Sequence, residues 1–373
     1  MNELDPKRLL LGKRLSTRRL EGELLPKTIA LPIFSSDPLS SVAYGPQEML
    51  MILTLGGAAM LSFAPWIAAL VVLLLTVIVL SYRKVVAAYP SGGGDYEVAK
   101  KNIGEKSALV VASALLLDYV MTVAVSIASG VDNLISAFPM LNDFRVEMAI
   151  GFIVFLCAIN LRGVRESGVA FAVPTYLFIA SVLTMFGVGI FKLLSGESIT
   201  AVSAQYAVQA VENVQAGGLI FVLLLLRSFA SGSAALTGIE AIANGVPAFR
   251  VPKIKNAQAT MSWMGLTAVT MMVGIVSFAL ISGVRYIETA EQLSGAQREA
   301  FLAAPQPSVI AQLGIAIFGD GNILFFILQG ATAAVLLLAA NTAFNGFPLL
   351  ASVLAKDCYA PKALLTRGDR LVY

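Results

Sequence analysis

The sequence contains no histidine and only two cysteines among its 373 residues. Without histidine, zinc centres, haem ligation and imidazole proton relays lose their commonest side chain, and any proton chemistry falls to carboxylates. Cys157 sits in an apolar run and Cys358 in a basic loop, which is neither a disulfide framework nor a metal-ligand spacing. Charge is scarce too: 13% of residues are charged, where a soluble domain carries about 25%. No nucleophile-and-base set stands out, so an enzyme is not expected, nor a cofactor, nor a nucleic-acid partner. The glycine-rich stretch Tyr89-Pro90-Ser91-Gly92-Gly93-Gly94-Asp95-Tyr96 lacks the Gly-Lys-Ser/Thr ending of a phosphate loop. It reads as a place for close packing or hinge movement against the first helix. A cleavable signal is not expected either, because a polar, basic stretch up to Lys27 precedes the first apolar run.

What the chain has in abundance is apolar sequence, with 57% hydrophobic residues and a mean hydropathy of +0.81. Segments at approximately 28–53, 60–82, 107–136, 147–161, 168–194, 217–246, 258–282 and 323–354 approach or exceed the roughly 20 residues needed to cross a bilayer. An all-α integral membrane protein with eight spans is expected. Most of the 26 lysines and arginines fall in the N-terminal tail, the alternate loops and the C-terminal segment. Arg145, Lys192, Arg285 and Arg298 lie on the other side, and Arg227 lies inside a span. Positive residues collect on the cytoplasmic face, which places both ends of the chain there. The organisation expected is a cytoplasmic tail at 1–27, a transmembrane transporter domain at 28–354 and the start of a cytoplasmic loop at 355–373.

Three spans carry chemistry. The first contains Ser35-Ser36-Asp37-Pro38-Leu39-Ser40-Ser41-Val42-Ala43-Tyr44-Gly45-Pro46, where prolines remove backbone donors and an acid sits at mid-membrane depth. Such an acid marks an ion or substrate site, and the segment is predicted to be a broken helix. In the third span Asp118, Thr122, Ser126 and Ser129 recur at helical spacing and share a face. An acid heading a hydroxyl stripe supplies the oxygen-rich lining that a hard cation needs once it sheds water. The sixth span is interrupted between Ser228 and Glu240, and there Thr237 and Glu240 share a face. Two broken spans five apart point to an inverted repeat with its site between the breaks. Such a repeat requires spans nine and ten, so this chain is expected to be part of a longer protein. Arg227 is expected to pair internally with Asp118 or Glu240, with capping of carbonyls released at the break and closing of an outer gate as alternatives. The connection from Arg285 to Gln312 reads as an external loop with one short helix.

These motifs carry a resemblance. Ser-Asp-Pro-Leu-Ser-Ser-Val-Ala-Tyr-Gly in the first span, Leu-Asp-Tyr-Val-Met-Thr-Val-Ala-Val-Ser in the third, Ser-Ala-Ala-Leu-Thr-Gly-Ile-Glu-Ala-Ile-Ala-Asn-Gly-Val-Pro in the sixth and Asn341-Thr342-Ala343-Phe344 in the eighth resemble KimA-type permeases. These form part of the Kup potassium-uptake group of the amino acid, polyamine and organocation transporter superfamily. The resemblance implies a LeuT-like fold and proton-coupled potassium import. It implies potassium ligation by Asp37, Tyr44, Asp118, Thr122, Ser126 and Thr237. Glu240 is the candidate proton carrier, since burial of a carboxylate without a fixed partner favours its neutral form. It further implies a homodimer formed through a cytoplasmic domain that binds cyclic di-AMP and is absent from this sequence. Ordinary amino acid permeases place an uncharged, glycine-rich stretch where Asp37 stands, and an acid there attracts a cation instead. A proton-coupled amino acid or polyamine permease of the same superfamily stays open, whereas a channel would show a repeated carbonyl filter motif that is not seen.

Overall fold

The computed structural model describes residues 24–90, 92, 94–161, 168–210 and 218–365. Much of the basic N-terminal tail, part of the glycine run, the turn carrying Arg162 and Arg165, and the C-terminal basic residues Arg367 and Arg370 lie outside the described residues. Among the described residues the chain is helical, and the only β pairing is an isolated bridge between Leu25 and Phe249. The helices are α1 (Lys27–Thr54), α2 (Ala64–Ala88), α3 (Asp95–Asn102), α4 (Glu105–Ala137), α5 (Arg145–Leu161) and α6 (Gly168–Leu194). They continue with α7 (Gly218–Gly232), α8 (Glu240–Asn244), α9 (Lys253–Ile281), α10 (Gly295–Ala303), α11 (Val309–Phe318) and α12 (Ile323–Lys356).

Among the described residues seven helical segments are long and apolar enough to cross a membrane: those of α2, α4, α5, α6, α7 with α8, α9 and α12. The sequence suggests eight. The difference is α1, which has ample length at 28 residues but is diluted by serines, prolines and Asp37. Its polarity is matched by its position, since 20 of those 28 residues are buried. Helices α6, α7, α9 and α12 all pack against it. By contrast, only 6% of the apolar stretch containing α5 is buried and 17% of that in α4. The most polar of the long helices is therefore the innermost one, where neighbouring protein replaces lipid around it.

The expected break in the first span is absent, because α1 runs unbroken through Pro32, Pro38 and Pro46. Each proline removes a single ladder bond, and more than one turn of helix separates each from the next, so the ladder closes between them. The break in the sixth span is present. Helix α7 ends at Gly232, tightens to a single 3-10 turn over Ser233–Leu236, and passes through extended Thr237 and left-handed Gly238 (φ 77°) before α8 begins.

Three other expectations need correction. Arg227 is exposed on α7 and makes no ion pair with Asp118 or Glu240 among the described residues. The buried stripe of that helix is Leu224, Ser228 and Gly232, and Arg227 projects about a quarter-turn away from it. Where packing against the first helix is expected, the nearest neighbour of the described glycines of the run is the sixth span, as Gly92 and Gly94 both abut Asn244. Between Arg285 and Gln312 there is the short helix α10, but a second one, α11, starts at Val309. Ser308 caps it, accepting from the Ala311 amide at 3.1 Å. At ten residues α11 is too short to span.

Candidate functional site

On unbroken α1, Asp37, Ser41 and Tyr44 stand at i, i+4 and i+7 and so share one face. Ser41 is the hub of that face. Its hydroxyl donates to Asp37 Oδ1 at 3.4 Å, meets the Tyr44 hydroxyl at 2.9 Å and meets Thr237 Oγ1 at 2.8 Å. Thr237 in turn lies 3.1 Å from the Ala234 carbonyl, to which it can donate. Each hydroxyl has one proton to give, so three protons serve four contacts. The cluster is rich in oxygen lone pairs, the ligand chemistry that a hard cation accepts in place of water.

The break between α7 and α8 lies directly over the Asp37 carboxylate. A Cβ added to Gly238 would fall 2.4 Å from Asp37 Oδ2, and the residue's φ of +77° is one that L side chains rarely adopt. Glycine is needed twice here, for the turn and for the close approach. Asp37 is 4% exposed and Glu240 8%, with Asp118 half-buried. The charges of Asp118 and Asp37 act on one another, and those of Asp37 and Asp118 act on Glu240. The acids nonetheless do not close into a cage, as no three metal-ligating side chains converge among the described residues. Negative charge is spread around hydroxyls, an arrangement suited to a monovalent cation more than to a carboxylate-bound divalent one.

Not every expected residue joins this cluster. Hydrogen bonds connect Asp37, Tyr44 and Thr237 through Ser41, while Asp118 and Glu240 are within electrostatic reach. Thr122 and Ser126 are buried on α4, but no hydrogen bond among the described residues ties them to Asp37. The Ser126 hydroxyl is buried without a partner, as is that of Ser35 on α1. Ser36 meets Thr342 of α12 at 3.4 Å. Tyr119 lies against α12, where a Cβ on Gly346 would come within 2.9 Å of its ring. Ser41, Gly238 and Thr342 were not among the expected ligands. The signal for Ser41 is its spacing from Asp37 and Tyr44, which has meaning only if the segment is helical.

The amino acid permease family model matches residues 30–370, covering the helical body from α1 to α12 and the whole cluster. This chain belongs to that family. The chain is 41% identical over 367 residues to the potassium transporter KimA of Bacillus subtilis, an alignment covering 98% of this chain and 56% of that protein. It is 27% identical over 129 residues to the low-affinity putrescine importer PlaP of Escherichia coli, covering 35% of this chain and 28% of the importer. The chain thus spans little more than half the length of the potassium transporter it matches. With seven apolar helices and relatives that are transporters, it is a multi-pass membrane protein.

Proposed function

We propose that this chain is the transport core of a potassium importer that works by proton symport, with alternating access around a cation site at mid-membrane depth. The observation that carries the reading is the Asp37–Ser41–Thr237 cluster, in which a buried acid and surplus hydroxyl lone pairs meet at the interrupted wall of the bundle. Asp37 and Asp118 offset the charge of the ion. Tyr44, Thr122, Ser126 and Thr237, with carbonyls freed at the break, replace its water. Glu240, at the start of α8, carries the proton. The break between α7 and α8 suits a LeuT-like inverted repeat, although α1 departs from that pattern by its continuity. The excess of basic residues on one side places the N-terminus in the cytoplasm. Identity to a potassium transporter over almost all of this chain supports the choice of ion.

A second reading, polyamine import, has its own support in the three acids and in the partial similarity to a putrescine importer. One experiment separates the two. The full-length gene is expressed in a bacterial strain lacking its own potassium importers and grown at limiting potassium, with and without a proton ionophore. Growth rescue that the ionophore abolishes is the expected result. Failure of rescue with the protein in the membrane, together with uptake of labelled putrescine, would shift the assignment to a polyamine.

A further inference from the structure

Asp95 is the first residue of α3, outside the apolar helices, yet it is half-buried. The Tyr82 hydroxyl at the end of α2 donates to its Oδ1 at 2.5 Å. The glycines just before it press on the far end of α8. A Cβ on Gly94 would lie 2.7 Å from Asn244 Oδ1, and one on Gly92 would lie 2.8 Å from the Asn244 carbonyl. Asn244 follows Glu240 by four residues in the same helix, so the two side chains are stacked one turn apart, roughly 6 Å between Cβ atoms. Asp37 approaches α8 at its Gly238 end and Asp95 at its Asn244 end, with Glu240 between them. The charges of both acids act on Glu240, and that of Glu240 acts on Tyr82.

No cation holds Asp95 among the described residues. Its own helix supplies Glu97, Lys100 and Lys101, but Lys100 pairs with Asp357 at 2.8 Å and Lys101 with Glu97 at 2.6 Å. Helix α2 presents Tyr82, with Arg83 and Lys84 exposed beyond it, α8 presents Glu240, and α4 presents Tyr119, on which the charge of Asp95 acts. Burial raises the Asp95 carboxyl above the ordinary carboxylate range, and the Tyr82 hydrogen bond draws it part of the way back. An unpaired acid of this kind is suited to exchanging a proton.

We infer that Asp95 receives the proton that Glu240 gives up, with Tyr82 as the relay, so that this pair is the proton exit of the transporter. The inference rests on the reading of Glu240 as proton carrier. In the step, the Tyr82 oxygen takes the Glu240 proton as the Tyr82 O–H proton passes to Asp95. One O–H bond breaks at Glu240, one forms at Asp95, and Tyr82 ends as it began. Asp95 then releases the proton to bulk water.

The test uses the full-length protein in proteoliposomes, with a pH-sensitive dye reporting proton movement during potassium uptake across a range of pH. Asp95→Asn keeps an oxygen to accept from Tyr82 but cannot take a proton. It is expected to lower coupled proton flux tenfold or more and to flatten the pH profile, while Asp95→Glu restores both. Wild-type flux and pH profile in Asp95→Asn would overturn the inference. Should that variant not reach the membrane, Tyr82→Phe decides, and wild-type flux and profile there would overturn it equally. Loss of flux in Glu240→Gln with none in Asp95→Asn or Tyr82→Phe removes this exit alone. Absence of proton movement in the wild type removes the exit and the carrier together.

Discussion

The Ser41 and Thr237 hydroxyl oxygens stand 2.8 Å apart although 196 positions separate them in the chain. That contact joins an unbroken helix to the loosest point of an interrupted one, and the acid of the site lies against both.

Ser41 connects three partners, so Ser41→Ala should weaken potassium recognition by more than the loss of one hydroxyl elsewhere. A rise of about tenfold in the half-saturating potassium concentration is expected, equivalent to about 1.4 kcal/mol. Ser40→Ala is the control, because the Ser40 hydroxyl bonds the Asp37 carbonyl in its own turn at 2.9 Å. Uptake measured against potassium concentration with the full-length protein checks this. Equal effects of the two substitutions would remove Ser41 as the hub.

Asp37→Asn and Asp118→Asn should each abolish uptake and leave membrane insertion intact, because the amide preserves shape and removes charge. Filter uptake of labelled ion, beside quantification of protein in the membrane fraction, reads both properties. Either variant transporting at the wild-type rate would lose its place in the ion site.

Gly238→Ala combines a strained backbone with a clash against Asp37. Holding a non-glycine residue in such a conformation costs roughly 1–3 kcal/mol, so both melting temperature and transport should fall. Gly187→Ala is the matched comparison. It lies within α6 with nothing within 4 Å of its Cβ position, and a helical alanine gains up to about 1 kcal/mol over glycine. Thermal unfolding of the purified variants should therefore move in opposite directions.

Asp357 joins the end of α12 to α3, pairing with Lys100 at 2.8 Å and accepting from the Tyr96 hydroxyl at 2.7 Å. The hydrogen bond from Lys100, and after it that from Tyr96, holds the Asp357 carboxyl below the ordinary carboxylate value. A depressed carboxylate contributes stability at pH values above its unfolded pKa, about 3.9, and loses it as pH falls through the folded value. Asp357→Asn should melt slightly lower than wild type at pH 7, and the gap should close in strong acid. A gap that stays constant with pH would mean the pair contributes nothing through charge.

Much of this was legible in the sequence, where the residues responsible act locally. The sixth-span break is announced by Gly232, Thr237 and Gly238, whose backbone preferences the bundle accepts. The α4 face is announced by the spacing of Asp118, Thr122 and Ser126. What was not legible depended on neighbours. Pro32, Pro38 and Pro46 favour a break on their own, but four surrounding helices hold α1 continuous. Once the segment is read as broken, the helical register linking Asp37, Ser41 and Tyr44 is hidden as well. Arg227 is a similar case, since its side of α7 is decided by which stripe the bundle buries and not by its own charge.

The contrast between a continuous α1 and an interrupted α7–α8 also makes the two walls of the site mechanically unequal. Bending α1 means sacrificing ladder bonds that are already fewer for its prolines. Rotating α8 about residues 233–239 sacrifices almost none, because the ladder is already open there. A five-residue helix is, besides, too short to be stable by itself. The burial of α1 by four helices and the open ladder at residues 233–239 place the easier movement on the α8 wall, about Gly238.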